Sequence, residues 1–169
     1  KHIFYVMADD KVHVRKRTLA SPTSEDTWLT LETPEPQYRT EAGTNRSVVA
    51  VSFWRMNDGV MPNGSLHFVR HDVELYMDTW ERLSERVNHF SLKPSKNGVK
   101  KGLQPIKAAE GCNRWNPSPS GTYAICINYV AKGDVFVSAT ADIRDASTGK
   151  VVTTLPADLA RYAVQPALT

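Results

Sequence analysis

From Thr122 to Asp145 the chain alternates. In TYAICINYV (122–130) the odd positions carry Tyr123, Ile125, Ile127 and Tyr129. In DVFVSATADIRD (134–145) they carry Val135, Val137, Ala139, Ala141 and Ile143, while Phe136, Ser138, Thr140, Asp142 and Arg144 take the even ones. A period of two is the repeat of a pleated strand, whose successive side chains point to opposite faces. With Lys132-Gly133 between them, the two runs predict an antiparallel hairpin with one apolar face. Asp145-Ala146-Ser147-Thr148-Gly149-Lys150 then reads as a hairpin loop with glycine placed for positive φ, and VVTTLP (151–156) as the returning strand.

The rest of the chain punctuates in the same way. HIFYVM (2–7) and KVHVRKR (11–17), joined by Ala8-Asp9-Asp10, read as a second hairpin. TWLTLE (27–32) is a weak strand, and SVVAVSFW (47–54), apolar on both faces, suits a central covered one. Asn57-Asp58-Gly59 and Pro62-Asn63-Gly64 are turn chemistry. SLHFVRHDVELYM (65–77) starts as a strand and allows a helical second half. Asp78-Thr79-Trp80-Glu81 has the form of a helix N-cap. Trp80, Leu83, Val87 and Phe90 then recur at helical spacing, with Asp78 and Arg82 as an i,i+4 charge pair. This predicts a helix over about 79–90. Prolines and glycines make a regular element unexpected over 91–109, and ADLARY (157–162) suggests a short helical turn.

Strands follow one another through short turns without βαβ alternation. The predicted fold is mainly β: an antiparallel sandwich or barrel-like sheet of about seven or eight strands with one main helix near 79–90, in a single domain spanning 1–169. A length of 169 residues, with 41% hydrophobic and 23% charged, agrees with one globular unit. No run of about 18 apolar residues exists, so no membrane-spanning helix is predicted. The sequence begins at Lys1 rather than Met, so a processed or excised form is expected, and the lack of a leader says nothing about export.

The two cysteines, Cys112 and Cys126, flank a loop with two prolines. Their even count, that loop and the lack of metal partners lead us to expect a bond between them, closing about 15 residues and contributing roughly 3 kcal/mol. Two unrelated buried thiols in a reducing compartment are the alternative; no CxxC or four-ligand zinc pattern is present. A disulfide favours an extracellular, periplasmic or particle-surface setting. The triplets Asn45-Arg46-Ser47 and Asn63-Gly64-Ser65 fit it but add little.

No nucleophile elbow, Walker loop, dinucleotide fingerprint or HExxH motif occurs, and no cofactor is expected. His67 and His71, four apart and near Asp72 and Glu74, are a weak metal candidate. Glu81 and Glu85 beside Arg82 and Arg86 read as a solvated helix face. Net charge is only +3, so any binding patch must be local. Lys11, His13, Arg15 and Arg17 share one strand face, and Lys93, Lys96, Lys100, Lys101 and Lys107 crowd one loop. If they converge, Lys11, Arg15 and Arg17 with Lys96, Lys100 and Lys101 would take an acidic glycan or nucleic acid. Trp54, Trp115, Tyr38 and Tyr129 are candidates for stacking on a sugar or anchoring a partner, though core packing is the commoner fate of such residues.

These readings make a non-catalytic structural or recognition module the leading expectation. Its setting would be an extracellular, envelope or virus-particle assembly, and its means protein–protein contacts or self-assembly. A polyanion-binding domain, or an enzyme with a site scattered through loops, are the alternatives.

Overall fold

The structure is a computed structural model and describes residues 2–8, 12–18, 20–57, 60–94, 102–132 and 135–164. Every sheet in it is antiparallel. Strands β1 (His2–Ala8), β2 (Val12–Thr18) and β3 (Ser21–Leu31) form a three-stranded meander. Strands β4 (Gln37–Thr40), β5 (Ser47–Met56), β6 (Leu66–Tyr76), β7 (Arg82–Leu92) and the two-residue β8 (Gln104–Pro105) form a five-stranded sheet in chain order. After a single 3₁₀ turn at Lys107–Ala109 come β9 (Arg114–Pro117), β10 (Tyr123–Lys132), β11 (Val135–Asp145) and β12 (Val151–Thr154), in the order β12-β11-β10-β9. A short helix, α1 (Ala157–Val164), ends the described chain.

The alternation at 122–145 becomes the β10–β11 ladder, in which Ile125 faces Ile143 and Ile127 faces Ala141. Helix α1 closes this apolar face: Ala160 is buried with Ile127 and Ala141, flanked by Ile125, Tyr129, Ala139 and Leu155. The opposite face of β10 carries Ala124 and Cys126, packed with Trp115 of β9 and with Ala108, Ala109 and Cys112. The 145–150 loop is locked by Asp145, whose carboxylate accepts from the backbone and hydroxyls of Ser147 and Thr148. Gly149 sits there at φ +76, and a Cβ on it would lie 2.9 Å from Ala108 Cα.

The predicted helix over 79–90 is a strand. Arg82–Leu92 pairs with β6 along most of its length, from Leu66↔Leu92 to Leu75↔Arg82, and the second half of 65–77 is strand as well. Two local facts explain the difference. Asp78, placed by sequence as a helix cap, is held by Arg46 through Nε at 3.1 Å and Nη2 at 2.8 Å. Trp80 adopts φ +58, closing a turn in which Tyr76 N–H donates to Glu81 O and Trp80 N–H to Tyr76 O. In the strand, Val87 and Phe90 fall on opposite faces and Leu83 is skipped at the register shift, so the helical spacing has no physical counterpart.

The central sheet has two unlike faces. Even-numbered Trp54, Met56, Leu66, Phe68, Phe90 and Leu92 cluster with Leu29 and Leu31 of β3, which places the three-stranded meander on that side. Phe68 there is wholly buried. Odd-numbered His67, Val69, His71 and His89 turn the other way, toward Cys112–Asn116 of the four-stranded sheet.

A candidate binding cleft between two sheets

Three histidines are buried on the odd-numbered face, His67, His71 and His89, two on β6 and one on β7. The ladder sets Val69 opposite His89, Phe53 opposite His71 and Arg55 opposite Val69, so these side chains share one face, on which the histidines and Arg55 are the polar members. Burial of such groups demands hydrogen bonds, and the layer has them.

The first set is a directed chain. His89 Nε2 lies 3.0 Å from the Cys112 carbonyl, His67 Nε2 lies 3.0 Å from His89 Nδ1, and Asn57 Nδ2 lies 3.0 Å from His67 Nδ1. The end fixes every tautomer. A carbonyl only accepts, so His89 carries its proton on Nε2. Its Nδ1, when neutral, accepts from His67 Nε2–H, and His67 Nδ1 accepts from the Asn57 amide. Burial, the main cause, together with the charge His89 would carry, pushes His67 down to about 4 from its usual 6.5. His89 is also lowered, mainly by burial, against the opposing effect of its bond to the Cys112 carbonyl. Both rings are therefore neutral at pH 7.

The second set is a dyad. His71 Nδ1 lies 2.7 Å from Glu85 Oε1, and the other carboxylate oxygen pairs with Arg82 Nη1. A carboxylate only accepts, so Nδ1 bears the proton and Nε2 is the ring's open valence. The hydrogen bond from His71, then the Arg82 charge, hold Glu85 below the ordinary carboxylate range in spite of its burial. Phe53 stacks on the His71 ring at 4.7 Å between centroids and 3° between planes, which fixes the ring's orientation. Among the described residues His71 Nε2 has no hydrogen-bond partner, yet it is not one of the solvent-inaccessible unpaired atoms, so it meets solvent.

A cleft of about 430 Å³ opens over these groups. Arg55, Asn57, Val69, His71 and His89 line it from the five-stranded sheet, and Asn113, Arg114, Trp115, Asn116 and Tyr129 from the other side. The second wall is pinned. Cys112 and Cys126 are bonded, with Cα atoms 5.3 Å apart, and Asn113 donates its N–H to Asn128 Oδ1 while its own Oδ1 accepts from Tyr129 N–H. No described hydrogen bond or ion pair engages the Arg55 or Arg114 side chain. A second hollow of about 660 Å³ lies along β7, walled by Pro105–Ala109 and Glu110–Asn113, and shares His89 with the first.

The predicted site residues divide sharply. The disulfide Cys112–Cys126 is formed. His67 and His71 do share a face, but four residues along a strand separate them by about 13 Å, not one helical turn. Both nitrogens of His67 are already engaged, so the metal pairing does not form, and no cluster of three His, Cys, Asp or Glu among the described residues is placed to hold an ion. Of the polyanion candidates, Arg15 and Arg17 lie two apart in β2, opposite Tyr5 and Ile3, while Lys11, Lys96, Lys100 and Lys101 lie outside the described residues. Trp115 is core, 2% exposed, Trp54 packs on Phe90 and donates to the Glu32 carbonyl, and Tyr38 stays exposed on β4. Glu85, expected on a solvated helix face, is instead half-buried behind His71. Its partner was findable only through the β6–β7 register, which sets Glu85 beside Val73, next to His71 on the same face.

No protein-family model, curated protein or solved structure matches the chain.

Proposed function

We propose that the chain is a non-catalytic recognition module of an oxidising compartment, extracellular, periplasmic or on a particle surface, and that it holds its ligand in the cleft between the five- and four-stranded sheets. One observation carries the reading: the Asn113–Asn116 wall of the cleft is anchored by the residue that precedes it, Cys112. That residue is bonded to β10 through sulfur, accepts His89 Nε2–H at its carbonyl and donates its N–H to the Ala109 carbonyl. A wall held from three directions loses little freedom when a ligand arrives, which favours affinity. The disulfide, and the lack of a helix long and apolar enough to cross a membrane among the described residues, are compatible with that compartment. His67 and His89 spend their ring nitrogens inside the protein, which suits them to holding the wall rather than to moving protons.

The test is an NMR titration with small sugars, short peptides and organic acids. Amide shifts clustering at Arg55, Asn57, His71, Asn113–Asn116 and Tyr129 are expected. Shifts absent from these positions for every class of probe would remove the reading.

A second reading, assembly through protein–protein contacts, is favoured by the sheet edges. β4 and β12 are exposed at every residue, with Tyr38 at 68%, Val151 at 45% and Val152 at 57%. Uncovered edges of this kind offer unpaired backbone groups to another strand. Light scattering across a concentration series separates the two readings: a monomer throughout speaks for recognition, a discrete oligomer lost on Val152→Lys for assembly.

A further inference from the structure

We infer that the cleft takes a phosphate group carried on a small molecule, a specificity that rests on the cleft being the binding site. The argument starts from charge. Among the described residues the lining holds two guanidiniums, Arg55 and Arg114, and no aspartate or glutamate. Glu85 sits behind His71 and is already satisfied by His71 Nδ1 and Arg82 Nη1. Two cations facing one cleft without a described counter-ion focus a positive potential that the chain's overall +3 does not suggest.

Geometry then narrows the anion. Arg55 belongs to β5 and Arg114 to β9, so the cations come from two different sheets on either side of the gap. A carboxylate is planar, and one guanidinium satisfies both of its oxygens side by side. A phosphate presents oxygens tetrahedrally and can accept from both walls at once, with a further oxygen left for the Asn116 amide. At about 430 Å³ the cleft exceeds what the ion alone fills and matches the lower end of small-ligand sites, so the phosphate is expected to carry a substituent of about monosaccharide size.

Calorimetry and NMR with four probes at low salt test this: inorganic phosphate, glucose 6-phosphate, glucose and acetate. Both phosphates should shift the cleft amides, with glucose and acetate weaker by about tenfold or more, and affinity should fall as salt rises. Arg55→Ala and Arg114→Ala should each weaken glucose 6-phosphate about tenfold or more. Arg55 is exposed, so its variant leaves the fold intact even if Arg114→Ala does not, and Arg55→Lys should restore part of the affinity. Phosphate binding unchanged in Arg55→Ala overturns the inference. So does glucose binding as tightly as glucose 6-phosphate, a result that leaves the cleft as a recognition site. Silence from both phosphates overturns it too, and the wider titration then decides the recognition reading by itself.

Discussion

Acid asks this protein to accept protons where burial excludes charge. His67 titrates near 4 in the folded chain and near 6.5 when exposed. Above pH 6.5 neither state binds the proton, so the full stability is present. As the pH falls from about 6.5 toward 4, the unfolded chain takes up a proton that the folded chain refuses, and stability is lost. A difference of this size corresponds to about 2.5 kcal/mol lost by pH 4.5, and about 3 kcal/mol at the limit. His89 is shifted the same way and adds to the loss. The shifted carboxylates overlap only the acid end of this window. Glu41, Glu74, Asp78, Glu85 and Asp145 are all lowered from ordinary values of 4.5 or 3.8, so their contributions begin to fall below about pH 5 as the unfolded chain takes up protons, and the interval from about pH 6.5 to 5 reports the histidines. The assay is urea unfolding without reductant, followed by tryptophan fluorescence, at steps from about pH 7.5 to 4.5 and fixed ionic strength. His67→Gln supplies the control: it keeps an N–H donor toward His89 but has no proton to gain. The variant should be less stable at pH 7 and markedly less sensitive to acid. A wild-type stability that stays flat between pH 6.5 and 4.5 would refute the reasoning, as would a His67 ring that titrates by NMR near 6.5.

Three further outcomes follow from packing. Replacing both Cys112 and Cys126 by alanine should lower stability by roughly 3 kcal/mol in denaturant titrations, and wild-type protein in strong reductant should reproduce the loss. Phe68→Ala removes a wholly buried ring between the central sheet and the meander; thermal or chemical unfolding should register about 3–5 kcal/mol. Gly149→Ala forces a Cβ to within 2.9 Å of Ala108 Cα at a positive φ, so a loss of about 1 kcal/mol or more is expected, visible as a lowered Tm.

The strands that were legible in the sequence are those with one apolar face. Ile125, Ile127, Ala141 and Ile143 alternate because helix α1 covers a single side of β10 and β11, and hairpin 2–18 was readable from its turn. The β7 strand was not legible, because both of its faces are covered by different chemistry. Phe90 and Leu92 enter the apolar cluster while His89 enters the polar layer, which erases the period of two and leaves a chance helical spacing through Trp80, Leu83, Val87 and Phe90. The same cause hid the cleft. His67, His71, Glu85 and His89 look like surface residues when read singly. Only the long-range pairing of β5, β6 and β7, and the arrival of Cys112 from far along the chain, make them an interior. Cysteine pairing was easier to foresee, since one short loop separates the two thiols.

Because side chains on a strand alternate between faces, the central sheet divides its labour residue by residue. Along the first half of β6 the side chains alternate between the apolar cluster and the layer beside the cleft: Leu66 then His67, Phe68 then Val69. The apolar cluster and the cleft wall thus draw on opposite faces of the same strand. On the proposed reading, substitutions at Arg55 or Asn57 would retune what the cleft holds while the apolar layer beneath stays untouched, whereas an insertion of one residue in β6 would exchange the two faces and forfeit both. Such a sheet can diversify quickly by point substitution yet tolerates almost no change in length.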